Sequence, residues 1–233
     1  MEPVPFIHEA GTLDQARAAD MDRLWSMGWR HFGSHFFRYS HDLDAGGKPR
    51  LILPLRLDLE GFAPSKSQRR IIKRNADLDV RITAATVDPE REELFQRHVT
   101  RFRDNIPDSL RVFMPSPEPA RLPCRCLSVE ARVGGALAAV SYMDVGLRAV
   151  SSVYAMFDPA HAHRGLGILT LLEEIRWARE QGMRWLYPGY ATREASAYDY
   201  KKSLRPLEYY DWRGQWWPLD EGPGRIAAGG GPV

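Results

Sequence analysis

The order of elements between residues 127 and 190 constrains the fold more than any other feature of the chain. Two apolar strands are joined at Gly134-Gly135, a dipeptide typical of a hairpin turn. A third strand ends at Phe157, a helical pattern runs from His163 to Gly182, and Met183 to Tyr190 resembles another strand. A hairpin followed by a strand–helix–strand unit predicts an α/β (α+β) fold with a mixed central sheet flanked by helices.

The rest of the chain contains no internal repeat and no linker that divides it cleanly. Leu51 to Leu59 alternates as a strand does, whereas Ile106 to Pro123 is rich in proline and has no sustained period, which predicts an irregular loop or lid. We expect one domain over residues 1–221, in which residues 1–27 form a helical N-terminal extension. Residues 222–233 are expected to be a disordered tail.

Residues 63–75 predict a short helix that carries charge of one sign. Ser65 followed by Gln68 forms a capping box, and Asn75 is expected to end the helix. At about 3.6 residues per turn, the five basic residues of this segment share one face, with Ile71 and Ile72 on the opposite side. These basic residues are Lys66, Arg69, Arg70, Lys73 and Arg74.

No acidic residue balances this basic face. Like-charge pairs at i,i+3 or i,i+4 destabilise an isolated helix by roughly 0.2–0.5 kcal/mol each. A polyanion would compensate for this cost, because each neutralised phosphate releases condensed counterions. A solvated surface is the alternative interpretation, since charge runs usually face water. The net charge of the whole chain is only +2, so the basic face is a local feature.

Composition excludes several classes of protein. No apolar run approaches the roughly 18 residues that span a bilayer, and the first ten residues have no signal-type apolar core, so we expect a cytoplasmic protein without membrane association. Cys124 and Cys126 rarely form an unstrained disulfide at this spacing and are too few to complete a zinc site. His31 and His35 lack further ligands. We therefore expect structural cysteines and no metal site.

A second chemical feature lies between a strand and a helix, in Arg164-Gly165-Leu166-Gly167. Backbone N–H groups at a helix start suit a phosphate or a developing oxyanion. The segment is similar to the R-x-x-G-x-[GA] loop of GNAT acyltransferases, which holds the pyrophosphate of acetyl-CoA. Leu169 stands where that pattern has a small residue. A simple tight turn is the alternative interpretation.

Taken together, these motifs resemble the C-terminal domain of the aminoacyl-tRNA–protein transferases, which comprise arginyl-transferases and bacterial leucyl-transferases. The resemblance covers roughly residues 20 to 215. It begins at Gly28 with G-W-R-H-F-G and strengthens at Phe62 with F-A-P-S-K-S-Q-R-R. It continues at Ser152 with S-V-Y-A-M-F-D-P and at Tyr200-Lys201.

The resemblance implies a GNAT-like fold that uses aminoacyl-tRNA where GNAT enzymes use acetyl-CoA. An amino acid would pass from the tRNA 3′ ester to the α-amine of a protein, often one beginning with Asp or Glu, and label that protein for degradation. No cofactor beyond the aminoacyl-tRNA co-substrate is expected. The family's N-terminal cysteines, which bind zinc or an iron–sulfur cluster, are missing here, and Ala197-Tyr198 replaces its K-M. These departures imply a lost metal site and an altered acceptor pocket.

The tRNA 3′ ester is already activated, so the reaction mainly needs positioning, a proton acceptor and an oxyanion donor. The expected roles of the motif residues follow from these needs. The five basic residues of 66–74 would bind phosphates of the tRNA acceptor stem or 3′ end. Gln68 lies in the same turn, where capping is its alternative role. The backbone near Arg164, Gly165, Leu166 and Gly167 would contact the terminal nucleotide or the carbonyl oxygen.

The candidate proton acceptors are Asp158, Tyr154 and Tyr200, or a water that they hold. Asp158 has an alternative role in ending a strand, and Tyr154 and Tyr190 have one as core aromatics. Tyr190 and Lys201 are candidates for substrate contact, Lys201 through a phosphate or an acidic acceptor side chain.

Three other functions remain open from the sequence. A CoA-dependent N-acyltransferase on the same scaffold would bind acetyl-CoA with an affinity insensitive to salt. A transferase acting on a small metabolite or peptide would use aminoacyl-tRNA with a different acceptor. A non-catalytic relative would bind charged tRNA without consuming it.

Overall fold

The computed structural model describes residues 4–44, 46–102, 106–194 and 199–221. The helices are α1 (Ala18–Ser26), α2 (Lys66–Arg74), α3 (Pro89–Val99) and α4 (Leu166–Glu180). The strands are β1 (His8–Thr12), β2 (Arg30–Phe32), β3 (His35–Tyr39), β4 (His41–Leu43), β5 (Pro49–Asp58), β6 (Asp79–Ala84), β7 (Cys126–Val133), β8 (Ala136–Val145), β9 (Ala149–Phe157), β10 (Trp185–Thr192), β11 (Leu207–Tyr210) and β12 (Trp216–Pro218). Short 3₁₀ turns occupy Leu110–Val112, Pro159–Arg164 and Asp199–Ser203.

A mixed sheet forms the centre of the molecule. Within the described residues it has nine strands in the order β12-β11-β5-β10-β9-β8-β7-β6, with β4 paired to β5. The predicted hairpin is confirmed, since Gly134 and Gly135 connect β7 to β8 with φ of +57° and +88°. β9 and β10 run parallel because α4 connects them, whereas the flanking pairs are antiparallel.

Helices cover both faces of this sheet, which confirms the predicted fold class. On one face α4 packs Leu172 and Ile175 against Leu186 of β10, and α2 lies beside α4. On the other face α3 packs Phe95 against Tyr142 of β8. Since alternate residues of a strand point to opposite faces, each helix buries the apolar stripe that its sequence carries. In the part of the chain described, none of the helices combines the length and apolar character needed to cross a bilayer.

The predicted helical extension over residues 1–27 is wrong at residues 8–12. His8–Thr12 forms β1, which pairs with β3 in a second, small sheet of order β1-β3-β2. The residues of β1 are exposed, so no apolar alternation marks them, and the strand is held by backbone pairing to a distant segment. The tail over residues 222–233 and Ala197-Tyr198 lie outside the described residues.

The parallel pair β9 and β10 separates before either strand ends. Pairing runs from Trp185↔Ala149 to Tyr187↔Ser151 and stops there. Gly189 follows with φ of +98°, beside a register shift between β10 and β5. The two strands therefore open into a gap at their C-terminal ends, which we call the splay. α4 begins after the C-terminal end of β9, so its N-terminus lies toward the same edge of the sheet.

Candidate functional site

The helix predicted at residues 66–74 is present and capped as its sequence indicates. The Ser65 N–H donates to Gln68 Oε1 at 2.8 Å, and the Gln68 N–H donates to Ser65 Oγ at 3.3 Å. The inward side of α2 consists of the buried Gln68, the half-buried Ile71 and the buried Asn75 that follows the helix. Ile72, predicted to lie opposite the charges, is instead 40% exposed.

The five cationic side chains of α2, which we call the basic ridge, all face solvent. They are Lys66, Arg69, Arg70, Lys73 and Arg74. Within the described residues, none of these five forms an ion pair with a carboxylate. Arg69 donates to the Pro64 carbonyl and Arg74 to the His163 carbonyl, each at 2.5 Å, and neither contact neutralises the charge. The ridge therefore retains its positive charge.

Several contacts join the basic ridge to the glycine turn. Besides the bond from Arg74 to the His163 carbonyl, Asn75 Nδ2 donates to the Arg164 carbonyl at 2.9 Å. Gly165 has φ of +70°, and a Cβ there would lie 3.4 Å from Ile71 Cδ1. Glycine thus satisfies both the left-handed backbone and the close approach of α2. The two features that the sequence singled out are neighbours on one surface.

Gly165 is also the N-cap of α4 and offers no side chain to its first amide groups. The first N–H groups of a helix have no intrahelical acceptor and carry the positive end of its dipole. The Leu166 side chain is fully buried, and Gly167 lies over the Phe157 ring, so the turn is anchored from below. The Arg164 guanidinium is held by Asp77, with N–O distances of 2.9 and 3.1 Å, on the same surface.

The candidate proton acceptors occupy positions that favour their structural alternatives. Asp158 Oδ1 accepts from the Ala160 N–H at 2.9 Å, and its Oδ2 accepts from Arg97 Nε at 2.8 Å. The Tyr154 ring stacks on Phe113 with centroids 4.0 Å apart. Tyr200 is 40% exposed on a 3₁₀ turn. Asp158 thus caps a turn and Tyr154 packs in a core, while Tyr200 remains accessible.

Tyr190 has a structural contact and lies near Lys201. Its hydroxyl donates to the Gly28 carbonyl at 2.5 Å, and burial raises the pKa of Tyr190 above its usual range. Lys201 Nζ donates to the Tyr190 carbonyl at 3.2 Å. Lys201 therefore inserts its ammonium group into the splay from the side of β10.

A group of polar residues fills the splay, and sequence reasoning missed two of its charged members. Arg30 of β2 donates from Nη1 to Ser151 Oγ at 2.5 Å and from Nη2 to the Ser152 carbonyl. The Ser152 hydroxyl donates to Glu174 of α4, which is 1% exposed. A Cβ on Gly189 would lie 3.2 Å from Lys201 Nζ and 3.5 Å from Arg30 Nη2, so glycine leaves room for both cations. We call this set the splay cluster: Arg30, Ser152, Glu174 and Lys201.

Burial shifts the pKa values of two members of the splay cluster toward neutral pH. Burial, reinforced by the charge of Arg30, lowers the pKa of Lys201 from 10.5 to about 7. Burial also raises the pKa of Glu174 from 4.5 to about 7, against the opposing effects of the Ser141 and Ser152 hydroxyls and of the Arg30 charge. Groups with such shifts in an enclosed polar site are candidates for proton transfer.

A signal for Glu174 was present in the sequence. It lies three residues after Leu171 and four before Ala178, on the apolar stripe of α4, where a carboxylate has to be buried. For Arg30, the only signal in the sequence was its position in the G-W-R-H-F-G motif that begins at Gly28. Cys124 and Cys126 are buried free thiols, as expected, and burial raises the pKa of each.

Comparison with known proteins places the chain in a family. The family model described as "Arginine-tRNA-protein transferase, C terminus" matches residues 84–211, more than half of the chain. The chain belongs to this family of arginine-tRNA–protein transferases. It is accordingly an aminoacyltransferase.

Curated relatives of this transferase include two bacterial aspartate/glutamate leucyltransferases. That of Stenotrophomonas maltophilia (strain R551-3) is 38% identical over 180 residues, which are 72% of the transferase and 69% of the relative. That of Chromohalobacter salexigens is 34% identical over 206 residues, 83% and 79% of the two chains.

Solved structures resemble parts of the transferase. The C-terminal domain of a putative lysylphosphatidylglycerol synthetase from Agrobacterium fabrum has a TM-score of 0.47 and 15% identity, and the match covers 60% of the transferase and 47% of that chain. The ribosomal-protein-S18-alanine N-acetyltransferase from Escherichia coli has a TM-score of 0.35 and 20% identity, with 45% and 63% covered.

Proposed function

We propose that this chain transfers leucine from leucyl-tRNA to the α-amine of proteins that begin with Asp or Glu. The names of its curated relatives, aspartate/glutamate leucyltransferases, support both the donor amino acid and the acceptor residues. A new N-terminal leucine would mark the acceptor protein for degradation. Charged tRNA is a cytoplasmic substrate, so this function places the transferase in the cytoplasm.

The contact between the basic ridge and the glycine turn carries the proposal. Asn75 bonds to the Arg164 carbonyl, which fixes five solvent-exposed cations beside the N-terminus of α4. Phosphates of the tRNA acceptor end would lie along the ridge, because cations and helix N-terminal amides both bind phosphate oxygens. The 3′ ester would then enter the splay at the same edge of the sheet.

Within the splay, Lys201 takes the role of proton acceptor in this proposal. Its pKa of about 7 leaves a large neutral fraction at physiological pH, unlike that of an ordinary lysine. The acceptor amine attacks the ester carbonyl, a C–N bond forms and the C–O bond to the ribose breaks. The surplus amine proton passes to neutral Lys201, which then gives this proton to the leaving ribose oxygen and returns to its neutral form. Glu174 is hydrogen-bonded to the Ser152 hydroxyl, and its pKa, like that of Lys201, is about 7.

A transfer assay with a complete set of aminoacyl-tRNAs tests the proposal. Each tRNA, charged with its radiolabelled amino acid, is incubated with peptides that begin with Asp, Glu, Arg or Lys. We expect label only from leucyl-tRNA and only on the Asp and Glu peptides. Consumption of acetyl-CoA with no charged tRNA bound or consumed would overturn the proposal in favour of a CoA-dependent acyltransferase. Consumption of leucyl-tRNA without a labelled peptide would overturn the assigned acceptor.

A further inference from the structure

A second enclosed group of polar side chains lies outside the splay. It consists of His31 in β2, Cys124 just before β7 and Asp144 in β8. The three potential ligand atoms lie within 4.8 Å of one another, and all three residues are buried. The segments that meet here are far apart in sequence, and residues 113–123 of the proline-rich loop cover them.

The orientation of His31 is the decisive observation. Its Nδ1 lies 2.9 Å from the Gly33 carbonyl, and because a carbonyl only accepts, Nδ1 carries the proton. Nε2 then faces Asp144 Oδ2 at 2.8 Å, side-chain exposure being 5% for both. Among the described residues, Nε2 has no partner with hydrogen-bond alignment. Two electron-rich atoms at this distance require a cation or a proton between them.

The donor set indicates which cation fits. An imidazole nitrogen, a thiolate and a carboxylate are ligands that Zn²⁺ accepts together. A ligating histidine typically donates its other N–H to a carbonyl or carboxylate, as His31 does to Gly33. A cavity of about 10 Å³ lined by His31 and Asp144 adjoins the cluster, close to the space that a single water needs. That cavity supplies a fourth ligand position.

We propose that His31, Cys124 and Asp144 bind one zinc ion whose fourth ligand is a water in the adjoining cavity. Binding displaces the Cys124 thiol proton to solvent, so thiolate, carboxylate and Zn²⁺ are balanced in charge. The ion ties β2 to β8 and to the start of β7. Arg30 and His31 are neighbours in β2 and project to opposite faces, so the ion holds β2 from one side while Arg30 enters the splay from the other.

The test measures metal binding directly and needs no activity assay. The full-length protein is stripped with chelator, titrated with Zn²⁺ in competition with a chromophoric chelator, and separately loaded with Co²⁺. We expect one ion per chain and a thiolate-to-cobalt charge-transfer band. Cys124→Ser should abolish the band, and Asp144→Asn and His31→Gln should each weaken Zn²⁺ affinity by about 10-fold or more.

Cys126→Ser is the matched control, since it removes a buried thiol two residues from Cys124 and should retain the band and the stoichiometry. Absence of both Zn²⁺ binding and the cobalt band in the wild-type protein would overturn the proposal, whatever the folding of the variants. A band that survives Cys124→Ser and disappears in Cys126→Ser would do the same, because the ligand set would then be wrong. Circular dichroism identifies any variant that fails to fold.

Discussion

The basic ridge and the splay cluster both contain basic side chains, but they differ in environment. The ridge places five cations in solvent, with no ion pair among the described residues. The splay cluster encloses Arg30, Glu174 and Lys201 and engages each of them in hydrogen bonds. The exposed charges of the ridge are accessible to a ligand. The enclosed groups support the fold, and burial shifts the pKa of Glu174 and of Lys201 to about 7. The proposed function accordingly gives recognition to the exposed ridge and proton transfer to the enclosed splay cluster.

Replacing Lys201 tests whether the splay is a chemical site. In Lys201→Met we expect the single-turnover transfer rate to fall by about 10²- to 10⁴-fold, the range for loss of a general base. The wild-type rate should rise with pH through about 7, as Lys201 loses its proton, and this rise should be absent from the variant. Lys202→Met, which removes an ion pair with Asp199, is the matched control. An unchanged pH profile in Lys201→Met would show that the splay cluster has a structural role only.

Replacing Arg30 tests whether the enclosed splay cluster stabilises the fold. Its guanidinium binds Ser151 and the Ser152 carbonyl in the gap between β9 and β10. Arg30→Met should lower the free energy of unfolding by about 3 kcal/mol, because it leaves the enclosed Ser152 carbonyl without its donor and removes a cation that favours the charged form of Glu174. Urea denaturation measures this loss. Arg17→Met, at an exposed ion pair, should leave the urea midpoint nearly unchanged. Equal effects of the two substitutions would contradict the difference between the regions.

Substitutions in the basic ridge should have the opposite effect to Arg30→Met: they should weaken tRNA binding and leave the fold unchanged. The triple variant Arg69→Ala, Arg70→Ala, Lys73→Ala should weaken tRNA affinity by on the order of 10²-fold at low salt. The slope of log affinity against log salt should decrease by about 0.9 per cation on duplex RNA or about 0.7 on a single strand. The size of the decrease thus distinguishes the acceptor stem from the 3′ end.

The matched control for the ridge replaces three exposed arginines elsewhere, Arg17, Arg121 and Arg176, by alanine. This variant carries the same change in net charge, so it separates a local contact from a general loss of positive charge. Equal losses of tRNA affinity in the two triple variants would contradict a ridge-specific interface.

These two regions also differ in how far the sequence could predict them. The ridge and its capping box depend on residues three and four apart, so local periodicity was sufficient. The splay cluster brings together Arg30, Glu174 and Lys201 from three distant segments. The sequence predicted that Lys201 contacts a phosphate or an acidic acceptor side chain, but the lowered pKa of Lys201 depends on its burial and on the charge of Arg30, which only the fold brings together. Strand β1 was missed for the same reason, because its pairing partner, rather than its own pattern, defines it.

Glu174→Gln should change the pH dependence of stability. The folded-state pKa of about 7 exceeds the ordinary 4.5, so between these values the folded protein binds a proton that the unfolded chain has lost. The wild-type free energy of unfolding should therefore fall as pH rises from 4.5 to about 7, and the variant should lack this decrease. Glu173→Gln, which affects an ion pair with Arg176, is the control and should retain it. Parallel curves for wild type and Glu174→Gln would place the titration elsewhere.

The smallest expected effect concerns the cap of α2, where the exposed ridge depends on a few anchoring contacts. Ser65→Ala removes the acceptor of the Gln68 N–H and should destabilise the protein by about 1 kcal/mol. Because Ile71 and Asn75 still hold α2 against the glycine turn, tRNA affinity should fall by less than about 10-fold. Ser67→Ala, whose hydroxyl contacts Ser65 Oγ at 2.9 Å, is the control and should change stability by less than about 0.5 kcal/mol. A loss of affinity as large as that of the triple ridge variant would contradict this expectation. It would show that tRNA binding requires a well-ordered α2 in addition to the exposed charges.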